Sequence, residues 1–208
     1  MARISTVEQL RQILPPPRES TKLKILPELD EQATEFVETS PFVFLATVDK
    51  AGTVQVSPKG DEPGFTRIEN PRTLLIPERA GNNLAYGLQN IIATGAIGLI
   101  FVRPRTGETL RVSGKAELFD DAELLQQLGD AKRPALLAIR VHIETCFFHC
   151  ARSFLRAKLW EPESWGEAKR VSFGKVIGPK LGGDAAAAIK EIDERVATSY
   201  ETRLWTNA

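Results

Sequence analysis

Cysteine is scarce in this chain, and Cys146 with Cys150 makes the whole complement of two. That excludes a secreted disulfide framework and leaves a reducing cytoplasm as the expected location. Excess charge of either sign is missing as well. Lys+Arg 27 balances Asp+Glu 27, so the chain lacks the basic surplus that a nucleic-acid or membrane-surface protein uses against phosphates. No apolar run is long enough to cross a bilayer. The longest, Ile91 to Val102, is broken by Thr94, Gly95 and Gly98 and falls short of the ~20 residues required. The start, MARISTVEQLRQIL, is charged and amphipathic and does not show the order of a signal peptide. The expected partners therefore include no nucleic acid and no membrane.

Histidine is equally rare, at two residues, and no Ser-His-Asp arrangement is evident. The phosphate loops G-x-x-x-x-G-K-[ST] and G-x-G-x-x-G are absent, and so is the G-x-S-x-G elbow. The C-x-x-H-C cluster at Cys146, His149 and Cys150 has no second Cys or His pair to complete four zinc ligands, so no metal is expected. Four residues of strand would hold the two thiols ~13 Å apart, beyond disulfide reach.

What is present reads as one core with helical ends, because 208 residues suit a domain of roughly 150 plus an extension. Thr6-x-x-Gln9 starts a short helix that must stop at Pro15-Pro16-Pro17, and Leu29, Ala33, Phe36 and Val37 recur at helical spacing up to Pro41. Phe42 to Val48, the turn Asp49-Lys50-Ala51-Gly52, and Thr53 to Ser57 predict a β-hairpin. Further strands are expected at Thr73–Ile76, Ala96–Val102, Leu110–Leu118 and Leu137–Ile143, the last two by clean alternation. Helices are expected at Leu84–Ile92, after an Asp120-x-x-Glu123 cap, over Cys150–Trp160, and after Gly182-Gly183-Asp184, where Ile189, Ile192, Val196 and Tyr200 form a stripe. Gly174 to Gly183 reads as a linker. The predicted fold is α+β: a six-stranded antiparallel β-barrel with N- and C-terminal helices. Its divisions are a helical arm over 1–40, a barrel over 41–165 and a C-terminal linker and helix over 166–208 packing on the barrel.

The chemistry is carried by donors set beside glycines and helix starts. Ser57-Pro58-Lys59-Gly60-Asp61 follows the second strand, Arg79-Ala80-Gly81-Asn82-Asn83 follows the third, Arg111-Val112-Ser113-Gly114 lies in the fifth, and Arg152-Ser153-x-x-Arg156 lies on the late helix. A phosphate needs charge-assisted hydrogen bonds, and glycine lets backbone amides approach it closely. Together these clusters point to an anionic cofactor, which spacing alone does not name; each cluster alone also reads as a solvated surface.

The order PFVFLATVDKAGTVQVSPKGDEPGF, TLLIPERAGNN, ETLRVSGKA, FFHCARSFLRAKLWEPESW resembles the pyridoxamine 5'-phosphate oxidase-like flavoproteins, in particular a subfamily of FMN-dependent proteins of unassigned substrate. The resemblance covers roughly residues 5 to 165. It implies an FMN-binding split barrel, usually a homodimer with FMN at the subunit interface, and an FMN-dependent oxidoreductase acting on a small molecule. By the same resemblance Ser57, Pro58, Lys59 and Gly60 line the flavin, while Arg79, Asn82 and Asn83 match the segment that holds the FMN phosphate. Arg111 and Ser113 match a strand facing the cofactor. His149, Arg152, Ser153, Arg156 and Trp160 reach the cofactor bound mainly by the other subunit. A cation near N1 of a reduced flavin stabilises its charge, and Lys59 is the candidate for that role. No catalytic acid or base is assigned; His149 alone combines a pKa near neutrality with a place in a matching motif, and it also reads as a packing residue. The chain ends ETRLWTNA where the vitamin B6 oxidase carries an Arg-Leu-x-Pro type signature, which sets phosphorylated B6 vitamers aside as expected substrates. The same fold also hosts flavin or haem sensing modules and deazaflavin-dependent reductases.

Overall fold

The computed structural model describes residues 3–205; Met1, Ala2 and residues 206–208 of the two end segments lie outside the described residues. The arm opens with α1 (Val7–Ile13), whose Gln9 amide donates to the Thr6 hydroxyl at 3.3 Å. The Gln9 side chain bonds back to the Ser5 amide at 2.9 Å, one residue earlier than a strict capping box. The helix ends at Leu14, ahead of the three prolines. A single turn, α2 (Glu19–Lys22), adds a helix to the two expected. In α3 (Glu31–Thr39) the Asp30 carboxylate accepts from the Ala33 amide at 2.8 Å, and Ala33, Phe36 and Val37 are buried.

The strands are β1 (Phe42–Val48), β2 (Val54–Gly60), β3 (Arg67–Asn70) and β4 (Thr73–Glu78). After helix α4 (Tyr86–Thr94) come β5 (Ala96–Val102) and β6 (Thr109–Phe119); helix α5 (Ala122–Leu128) then precedes β7 (Leu137–His149). They form one antiparallel sheet of seven strands in the order β2-β1-β5-β6-β7-β4-β3. Six strands and a closed barrel were expected. The seventh, β3, holds a single apolar residue, Ile68, and so carries no alternation. The ladder stays open because β2 and β3 are edges that do not pair with each other. Pro58 is tolerated in β2 because an edge strand need not donate on both sides.

The hairpin turn between β1 and β2 is locked by Asp49, whose carboxylate accepts from the Ala51 and Thr53 amides at 2.8 Å each. Between β6 and β7 the register shifts at Ser113/Gly114. A Cβ at Gly114 would run into the His142 carbonyl oxygen, so this bulge requires glycine.

Val43 and Leu45 of β1, Leu99 and Phe101 of β5, Leu110 and Val112 of β6, and Ile139 and Val141 of β7 meet in the core at 0–1% exposure, capped by Phe36 and Val37 of α3. Each such burial stabilises the fold by ~1.5–3 kcal/mol. A small satellite cluster forms where Leu128 of α5 meets Leu75 and Ala138. The α5 cap is Asp121, not Asp120, because the Asp121 carboxylate accepts from the Leu124 amide at 2.9 Å.

Past β7 the chain forms α6 (Arg152–Ala157), α7 (Phe173–Ile177) and α8 (Ala185–Thr202). The stretch expected as a linker is folded. Gly174 and Gly178 lie against Ile189 of α8, and a Cβ at either would collide with it. Asp193 of α8 accepts from the Ser172 hydroxyl at 2.5 Å and from the Gly174 amide at 2.8 Å, joining the two helices. On the stripe of α8 only Ile192 is fully buried, and Tyr200 is exposed. Among the described residues no helix is long and apolar enough to cross a membrane.

Candidate functional site

A cavity of about 690 Å³ lies between the edge strand β2, the segment Glu78–Ala85, the first turn of α4, and Leu136, Leu137, Leu204 and Trp205. Its shape begins with β2. Alternation turns Gln55, Ser57 and Lys59 inward while Val54, Val56, Pro58 and Gly60 stay exposed. The segment expected to follow the second strand thus continues it to Gly60, since Phe42 to Leu45 of β1 pair with Gly60 to Ser57.

Lys59 meets Glu78 of β4, its Nζ 2.6 Å from Oε1, with both side chains 17% exposed. Arg79 is engaged on every side. Its Nε and Nη2 donate to Asp61 Oδ2 at 3.0 and 2.8 Å, Nη1 to the Arg133 carbonyl at 2.8 Å and Nη2 to the Leu128 carbonyl at 3.0 Å. Asp61 is only 3% exposed in its side chain. Both cations therefore stand in the cavity wall already paired, and two carboxylates balance them. The attraction left for an anion comes from elsewhere in the lining.

That source is the backbone after β4. Asn82 accepts from the Leu84 amide at 3.0 Å, and Asn83 and Ala85 take left-handed φ values of 59° and 53°. Helix α4 then starts at Ala85 with no side-chain cap, and Tyr86, Gly87 and Leu88 line the cavity. An uncapped start presents amides and the positive end of the helix dipole to whatever lies beside it. Gly87 faces β1 and β2: an added Cβ would stand in ordinary contact, 3.7 Å from Thr47 Oγ1 and 3.9 Å from Ser57 Oγ. Sequence reasoning missed Tyr86, Gly87 and Leu88. The expected helix, Leu84–Ile92, in fact begins at Tyr86, behind Ala85, which supplies no side-chain cap.

The other expected site residues lie elsewhere. None of Arg111, Ser113, His149, Arg152, Ser153, Arg156 and Trp160 lines this cavity. In the sheet Pro58 pairs with Phe44, Phe44 with Ile100 and Ile100 with Arg111; Val56, Ala46, Gly98 and Ser113 form the next row. Arg111 and Ser113 thus stand on the outer face, three strands and ~14 Å from β2. Next to them, Lys24 donates to the Phe148 carbonyl at 2.9 Å, and Lys24 and Arg111 lie over the Phe147 ring at 5.3 and 5.7 Å. Partial burial, then the charges of Lys24 and Arg111, push the His149 pKa below its ordinary value. Trp160 donates to the Thr106 carbonyl at 2.8 Å. Among the described residues Arg111, Arg152 and Arg156 have no carboxylate partner.

At the end of β7 the Cys146 thiol is buried, and burial followed by the charges of Asp30 and Glu28 raises its pKa to about 11. It is an inert core thiol that donates to the Glu28 carbonyl at 3.0 Å. Cys150 is exposed and unbonded. No cluster of metal-ligating side chains occurs among the described residues.

The sequence model of the pyridoxamine 5'-phosphate oxidase family matches residues 29–150, more than half of the chain. The chain belongs to that family. Solved structures similar to it include HupZ of Group A Streptococcus (18% identity, TM-score 0.47, 58% of this chain and 93% of that one). Others are an FMN-binding protein of Syntrophomonas wolfei (12%, 0.46, 69% and 97%) and a Clostridium acetobutylicum protein related to general stress protein 26 (16%, 0.43, 58% and 90%). Among curated proteins none matches. The family assignment rests on the sequence model alone.

Proposed function

We propose that this pyridoxamine 5'-phosphate oxidase family member binds FMN in the cavity beside β2 and acts as an FMN-dependent oxidoreductase on a small molecule. One observation carries the reading. A cavity of about 690 Å³ joins the uncapped start of α4 and its left-handed entry loop to an apolar wall of Leu45, Leu136 and Leu137. That pairing of an anion-binding end with an apolar slot fits a phosphorylated, planar ligand, and the volume lies within the range usual for cofactor sites.

The residues fit the group. The amides of Tyr86, Gly87 and Leu88, with the Gly81–Asn83 loop, would hold the phosphate, and Ser57 and Gln55 supply polar contacts along β2. Lys59 sits in the wall with its charge held by Glu78, so the pair orients as a neutral dipole and not as a bare cation. When bound, FMN would supply hydride transfer, for which the chain need provide only position and exclusion of water.

The proposed working unit is a homodimer. The outer sheet face leaves Phe44, Val54, Val56 and Ile100 40–61% exposed, a side-by-side apolar surface bordered by Arg111 and Ser113. A second copy on that face would cover the apolar residues and bring Arg111, Arg152, Arg156 and His149 toward the partner's cavity. Among the described residues Arg111, Arg152 and Arg156 have no carboxylate partner.

The visible spectrum of the freshly purified protein tests the reading, followed by heat release and mass identification of the ligand. Bands near ~370 and ~450 nm with FMN in the supernatant are expected. A colourless protein that fails to take up added FMN would contradict it, and a released deazaflavin or haem would reassign the cavity to that cofactor.

A further inference from the structure

The matched family segment ends at residue 150, yet the cavity wall includes Leu204 and Trp205, just past the end of α8. Helix α8 is clamped to α7 through Asp193 and Ile189, and the chain beyond its C-terminal end reaches the cavity wall. Trp205 is half-buried and joins neither hydrophobic cluster. One partner of its ring is Arg133, whose guanidinium lies 6.0 Å from the ring centroid.

Arg133 is itself fixed. Its Nη1 lies 2.7 Å from Glu62 Oε2 and 3.5 Å from Asp61 Oδ1, and Nη2 lies 3.3 Å from Asp130 Oδ2. Its carbonyl accepts from Arg79, so the ring rests on the same ionic network that builds the cavity wall. A tryptophan outside the core, held by a cation and lining a cavity, offers a large flat apolar surface to a ligand.

We propose that Trp205 is a ligand-contacting residue, which stacks against a planar aromatic ligand in the cavity and is oriented by Arg133. This rests on the flavin reading above and adds to it a wall that the family segment does not contain. Leu204 fills the adjacent part of the wall.

The test is FMN titration of the full chain, followed by quenching of flavin fluorescence, for the wild type and for Trp205→Ala, Trp205→Phe and Trp165→Ala. Aromatic stacking of this kind corresponds to roughly a tenfold change in affinity. Trp205→Ala should therefore bind FMN about tenfold more weakly, Trp205→Phe within about threefold of wild type, and Trp165→Ala, an exposed tryptophan that does not line the cavity, unchanged. If Trp205→Ala does not fold, Trp205→Leu keeps the apolar bulk without the ring and should show the same weakening. Wild-type affinity in the Ala or Leu variant overturns the role of Trp205 and leaves the flavin reading standing. A wild-type protein that binds no FMN overturns both.

Discussion

The cavity and the far end of β6 and β7 both carry arginine and lysine, but the two sets are engaged in opposite ways. In the cavity wall Lys59 meets Glu78, and Arg79 meets Asp61 and two carbonyls. At the far end Arg111 faces an aromatic ring, and Arg152 and Arg156 have no carboxylate partner among the described residues. A cation paired inside its own chain is part of the scaffold, whereas one left without a counter-charge remains available to a group from outside. The residues most easily read as cofactor ligands from sequence, Lys59 and Arg79, are therefore the ones most occupied with holding the fold.

Substitutions break this comparison in a definite order. Arg79→Ala should be the most damaging, because it leaves the buried Asp61 carboxylate only the more distant Arg133 at 3.5 Å and frees two carbonyls; a loss of ~3 kcal/mol in urea denaturation is expected. Lys59→Met strands Glu78 in a more open setting and should cost ~1–2 kcal/mol by the same measurement. By contrast, Arg111→Ala and Arg156→Ala should leave stability within ~0.5 kcal/mol of wild type. Their effect should appear in FMN retention, about tenfold weaker for each as measured by equilibrium dialysis. If the far-end variants unfold the protein while Arg79→Ala does not, the division is reversed.

The smallest effect is one of pH. Burial and the charges of Lys24 and Arg111 set the His149 pKa below its ordinary value in the folded chain. The unfolded chain then binds the proton more readily, so this contribution to stability is present above the ordinary histidine range and is lost as pH falls through it. Thermal melts between about pH 5 and pH 7 should show a slightly steeper loss for wild type than for His149→Gln.

Much of the sheet was legible because β6 and β7 alternate over long runs and β1 and β5 are apolar runs. β3 was not, since Arg67-Ile68-Glu69-Asn70 offers one apolar residue and takes its place from pairing with β4. Pro58 disguised the second half of β2, a strand that only an edge position permits. Gly174 and Gly178 read as a flexible linker, although they are small because Ile189 presses on them. In the site, the donors were visible but their partners were not. Asp61 lies 18 residues from Arg79 and Glu78 lies 19 from Lys59, so pairing depends on a cross-sheet approach that no local pattern records. The start of α4 was hidden for a different reason: the helix was expected from Leu84, whereas left-handed turns at Asn83 and Ala85 delay it to Tyr86 and leave it without a side-chain cap.

The central claim is that one cavity is completed by cations from a second copy of the chain. Its most direct test mixes two defective variants. Gly87→Asp places a carboxylate at the start of α4 and should abolish FMN binding in its own cavity, while Arg111→Ala combined with Arg156→Ala removes the contribution to the partner's. Unfolded and refolded together in equal amounts, the two should form mixed dimers with one intact site each, restoring FMN binding to about a quarter of all sites. Binding no greater in the mixture than in the separate variants, with the wild type holding one FMN per chain as a monomer, would contradict the account.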